Sequence, residues 1–138
     1  MISGSKHKGF TLIELLVVIS LMMMVIALVA PMGVEMVDKA RAQTQYINLQ
    51  SFLKKQSQRA FLSASPVYLK VQDTGLIFWQ SQRPEQIKAY EAITFLDKDV
   101  EFRFNRSGLA SVTDLRVQVG NQVKVLDLAN LWGKGDDQ

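Results

Sequence analysis

Cysteine is absent from the 138 residues, and histidine occurs once, as His7. Without cysteine there is no disulfide scaffold, no thiolate metal site and no cysteine nucleophile. A lone histidine cannot assemble a transition-metal site, and it leaves residues 8–138 without an imidazole base for a serine nucleophile. At 15.6 kDa the chain has room for one small domain, not a two-lobed enzyme. This decides the reading of Asp73-Thr74-Gly75, a triplet found at aspartic-protease sites. Those enzymes need two carboxylates sharing a proton, and no second triplet exists, so a turn is expected. Asp136 and Asp137 supply charge but no enclosed ligand set for calcium. No catalytic residue, metal site or cofactor is expected.

The hydrophobic residues are unevenly spread. Of the 25 residues from Phe10 to Val34, 20 are apolar, and these include four of the six methionines. From Phe10 to Ala30 only Thr11, Glu14 and Ser20 interrupt the run. As a helix this stretch rises about 31 Å, the thickness of a hydrocarbon core. Lys6 and Lys8 precede it, while Glu35, Asp38, Lys39 and Arg41 follow, so the positive-inside tendency puts the N-terminus in the cytoplasm and the remainder outside. A cleaved secretory signal fits less well: its apolar core is shorter, and a cut after Ala30 sets Leu28 where a small residue is needed. A plain single-pass anchor is the other reading. Met22 to Met24 point about 100° apart on a helix and cannot converge on one ion, so they read as apolar packing.

Two features go beyond an anchor. Glu14 lies four residues inside the run, where an intramembrane carboxylate calls for a partner, unless it snorkels to the headgroups. Gly9 stands directly before Phe10, at an abrupt polar-to-apolar step where the absence of a Cβ lets a protease take the backbone in extended form.

Lys8-Gly9-Phe10-Thr11-Leu12-Ile13-Glu14-Leu15-Leu16-Val17-Val18-Ile19 resembles the class III signal of type IV prepilins and type II secretion pseudopilins. The resemblance covers roughly residues 6 to 35, including Pro31. It implies a basic leader (Lys6, Lys8) over residues 1–9, cleavage after Gly9 by a prepilin peptidase, and N-methylation of Phe10. It further implies filament assembly with other pilin or pseudopilin subunits through an inner-membrane platform. Glu14 would there meet the cationic Phe10 amine of a neighbouring subunit. His7 would leave with the leader, and loss of Lys6 and Lys8 leaves 14 basic against 13 acidic side chains. The densest basic cluster, Lys54, Lys55 and Arg59, has no adjoining aromatic ladder, so a solvated helix face is expected and nucleic acid is not.

The expected architecture is α+β. A long N-terminal helix, transmembrane over 10–34 and amphipathic over 35–62, packs on a C-terminal antiparallel β-sheet formed by 63–138. Ala42, Tyr46, Leu49, Leu53 and Ala60 make one apolar stripe. An unbroken helix from Phe10 to Leu62 would measure about 80 Å. Pro31, followed by Gly33, marks either a bend or the junction of two helices. Strands are predicted at Val67 to Gln72, Leu76 to Gln80, Ala92 to Leu96, Val100 to Phe104, Leu115 to Val119 and Gln122 to Leu128. Asn105-Arg106-Ser107 matches a glycosylation sequon but also reads as a turn. The helix stripe, Pro66-Val67 and the Phe104 to Gly108 turn resemble H-type minor pseudopilins more loosely. Minor type IV pilins are the alternative, and a membrane-anchored binding protein that never polymerises is the reading from another class. The expected location is the inner membrane, single-pass and in contact with lipid, with a periplasmic body and, after assembly, a periplasmic filament.

Overall fold

The computed structural model describes residues 9–81 and 83–132; the leader lysines Lys6 and Lys8 and the segment from Gly133 onward lie outside the described residues. Helix α1 spans Leu12–Ser63. Seven strands follow: β1 Val67–Gln72, β2 Gly75–Gln80, β3 Arg83–Ala89, β4 Ile93–Phe95, β5 Glu101–Phe104, β6 Asp114–Val119 and β7 Gln122–Asp127. The chain divides into two compact units, one ending at Val37 and one beginning at Asp38. The architecture is α+β, a long helix followed by antiparallel sheets.

In the first unit, leucine, methionine, isoleucine and valine form helix with no glycine before Gly33, and Pro31 lies inside the helix. Every residue from Gly9 to Val37 is exposed. The Ser20 hydroxyl donates to the Leu16 carbonyl at 2.8 Å, so this polar group is satisfied within the helix.

In the second unit α1 buries Ala42, Tyr46, Leu49, Leu53, Gln56, Ser57 and Ala60. The expected apolar stripe is there, with two polar residues added to it. Ser57 earns its place by hydrogen bonding: its hydroxyl donates to the Gly108 carbonyl and accepts from the Trp132 indole N–H at 3.2 Å. Gly108 sits at φ +77, and a Cβ there would stand 3.0 Å from Ser57 Oγ, so both conformation and space require glycine. The helix closes in a Schellman motif. Ser65 N–H reaches the Ala60 carbonyl at 3.3 Å and Ala64 N–H the Phe61 carbonyl at 3.2 Å. Ala64 takes φ 48 there, a left-handed position more often held by glycine.

Where one sheet was expected, two form: a four-stranded sheet in the order β3-β2-β1-β5 and a three-stranded sheet in the order β4-β6-β7. Alternation along β1, β5 and β6 sends Val67, Leu69, Val71, Phe102, Phe104, Leu115, Val117 and Val119 into the core. Tyr90 and Phe95 pack edge to face there, centroids 6.1 Å apart. Burial pushes the Tyr90 hydroxyl pKa up to about 12.

Strand β3 was not expected. Arg83-Pro84-Glu85-Gln86-Ile87-Lys88-Ala89 has almost nothing apolar to alternate, contains a proline, and is exposed throughout. It exists because β2 offers it a ladder at the rim of the sheet, where proline and charge are tolerated.

Candidate functional site: the start of the long helix

Gly9, Phe10 and Glu14 fall within the first turn of α1 and the residues just before it. Thr11 is the N-cap. Its hydroxyl accepts the Glu14 N–H at 3.2 Å, and the Glu14 carboxylate accepts the Thr11 N–H at 3.3 Å. The Thr11 carbonyl takes the first helical bond, from Leu15 N–H, at 3.1 Å. This is a capping box, in which two helix-end donors satisfy each other's residues reciprocally. Phe10 is 85% exposed, and both it and Gly9 precede the helix. Glu14 is therefore not without a partner: the Thr11 backbone holds one carboxylate oxygen, and the positive end of the helix dipole favours the charge.

Thr11 is the residue that the reading by composition left without a role. The signal was present, since threonine followed three positions later by glutamate before an apolar run is a capping-box pattern. Pro31 lies in the same helix, about 25 Å further along its rise, and makes no common site with Glu14.

The other motifs resolve into turns. Asp73-Thr74 connects β1 to β2, and Asp73 pairs with Lys98 at 3.0 Å. The glycine of this triplet has its own reason: a Cβ on Gly75 would stand 2.7 Å from the Lys88 carbonyl oxygen. Asn105 Oδ1 accepts from the N–H groups of Ser107 and Leu109 at 2.9 and 3.0 Å, an Asx turn. Asp97 and Arg116 form the best-connected ion pair. Asp97 accepts from the Arg116 guanidinium, with Nε at 3.0 Å, and from the Arg116 backbone N–H at 2.9 Å. The guanidinium hydrogen bonds, then the backbone bond, hold the Asp97 carboxyl below the usual carboxylate range. Among the described residues no three His, Cys, Asp or Glu side chains gather as a metal site.

Residues 4–30 match the family model described as the prokaryotic N-terminal methylation motif. The chain carries a class III signal. From residue 12 onward it lies in an exposed apolar helix long enough to cross a membrane, and the signal fits a pilin or pseudopilin. It implies processing by prepilin peptidase and assembly with other pilin-type subunits, and together with the apolar helix it fits a single-pass membrane-anchored protein. No curated protein and no solved structure matches the chain.

Proposed function

We propose that the chain is a minor pseudopilin, a structural subunit of a type II secretion pseudopilus that supports protein export across the outer membrane. The observation that carries this reading is the overlap of the methylation motif with a helix whose apolar residues are all exposed from Leu12 to Val37. The buried stripe of Leu49, Leu53 and Ala60, the opening of β1 at Pro66-Val67, and the turn after Phe104 support the H-type assignment.

In this reading residues 1–9 are the leader, with Lys6 and Lys8 holding it on the cytoplasmic side, and the peptidase cuts between Gly9 and Phe10. The body from residue 63 onward is periplasmic. Thr11 caps the helix after Gly9 and Phe10, so the scissile bond lies outside the helix. Cleavage turns the Phe10 amide into a cationic amine, which is then methylated. Glu14 of one subunit pairs with that amine on its neighbour, each neutralising a charge the apolar shaft cannot hold alone. Pro31 supplies a local bend as the helix passes from bilayer to filament.

Intact mass of the membrane-extracted protein tests the reading. Loss of residues 1–9 plus one added methyl group is expected, and an intact leader in the presence of active peptidase rejects it. Glu14→Gln should be processed normally yet enter sheared filaments at a small fraction of the wild-type level. Wild-type incorporation would remove the charge-pairing role. Deleting the gene should lower exoprotein secretion; a loss of surface pili with secretion intact would assign the chain to a type IV pilus instead.

A further inference from the structure

On the second unit an open groove of about 690 Å³ runs between α1 and the overhanging rim of the four-stranded sheet. Its floor is aromatic and aliphatic: Phe52 and Phe78 meet edge to face with centroids 5.0 Å apart, and Leu62, 75% exposed, closes one end. Its polar wall is cationic. Lys55 and Arg59, four residues apart on one face of α1, both line it, with Gln86 of β3 opposite. Among the described residues no aspartate or glutamate lines the groove. A small adjoining recess adds Arg83 to Arg59, again with no acidic residue among the described ones. Glu85, the one acidic residue of β3, alternates with Gln86 and stands on the other face of the strand.

The ion pairs among the described residues are Lys70 with Glu101, Lys98 with Asp73, and Arg116 with Asp97. Lys55, Arg59 and Arg83 belong to none of them. Two cations line the groove, with Arg83 in the adjoining recess, beside apolar surface supplied by half-buried Phe52, buried Phe78 and exposed Leu62. A cationic wall beside an apolar groove selects by sign as well as by burial.

We infer that this groove docks an acidic, apolar peptide segment of a partner protein, with an aromatic or branched side chain on the Phe52 and Phe78 floor and flanking carboxylates on Lys55 and Arg59. Lys54, the third member of the basic cluster, does not line the groove and takes no part. The inference concerns the body alone and does not depend on how the leader is processed.

The test uses the detergent-solubilised full chain and fluorescein-labelled peptides read by anisotropy. One peptide carries Phe and Leu flanked by Glu and Asp, a second replaces every acid by Lys, and a third is polyglutamate. The first should bind, and the other two should bind at least tenfold more weakly. Lys55→Glu together with Arg59→Glu should weaken the first peptide at least tenfold, while Lys54→Glu should leave it unchanged. If the double reversal unfolds the body, judged by far-UV circular dichroism, Lys55→Gln with Arg59→Gln should give a smaller loss in the same direction. Absence of binding, equal binding of polyglutamate or of the lysine peptide, or an equal loss in Lys54→Glu would overturn the inference.

Discussion

The two halves of α1 share a backbone conformation and differ in everything else. Up to Val37 the side chains have the composition of a protein core and the exposure of a surface; from Asp38 the helix has a mixed composition and buries one narrow stripe. Apolar side chains exposed on every face of a helix are not a fault of folding when the intended solvent is lipid or the shaft of a filament. The body folds against itself, whereas the first unit awaits a partner.

That contrast can be broken by mutation. Leu53→Ala should destabilise the body by about 2–5 kcal/mol, because Leu53 is fully buried, whereas Leu21→Ala, on an exposed face, should change the same unfolding transition by less than about 0.5 kcal/mol. Denaturant unfolding in detergent, followed by tryptophan fluorescence, reads both. Comparable losses would mean that the apolar half supports the body directly.

Gly75→Ala comes next, with a loss of about 1–3 kcal/mol by the same measurement, since the new methyl must push the Lys88 carbonyl away and disturb the β2–β3 ladder. An unchanged midpoint would show that the rim strand is loosely held.

A gain of about 1 kcal/mol is expected for Ala64→Gly, from relief of the left-handed strain at the helix end. Because this strain sits at the C-terminal end of α1, the gain should appear in the body's unfolding and leave filament incorporation unchanged.

The smallest effect concerns pH. The Asp97 carboxyl is held below its ordinary value by Arg116, so its contribution is present above the unfolded-state value near 3.9 and is lost as pH falls through the depressed folded value. Wild type should therefore lose more thermal stability than Asp97→Asn on acidification through that range. Parallel melting curves would remove the pair from the account.

Much of the fold was legible because hydrophobic period is a local property. The stripe from Ala42 to Ala60 appears in the sequence at helical spacing and appears buried in the structure. The hairpin of β6 and β7 followed from the alternation of Leu115, Val117 and Val119. Strand β3 was not legible, since its residues carry no period and its pairing is supplied by β2. Nor was the split into two sheets, which depends on how distant strands share one core. At the candidate site Gly9, Phe10 and Glu14 could be read from the polar-to-apolar step and the family pattern. The reciprocal bonding of Thr11 with Glu14 was latent in their spacing and visible only as geometry.

By itself the sequence determined the class III signal, the membrane-length apolar run and the amphipathic continuation of the helix, because each is written in contiguous residues. Tertiary structure alone decided that Ser57 belongs in the core, that a side chain at Gly75 or Gly108 would crowd its neighbours, and that Lys55 and Arg59 line a groove with Phe52 and Phe78. Those outcomes depend on backbones and side chains far apart in the chain meeting within a few ångströms, and no local pattern records such distances.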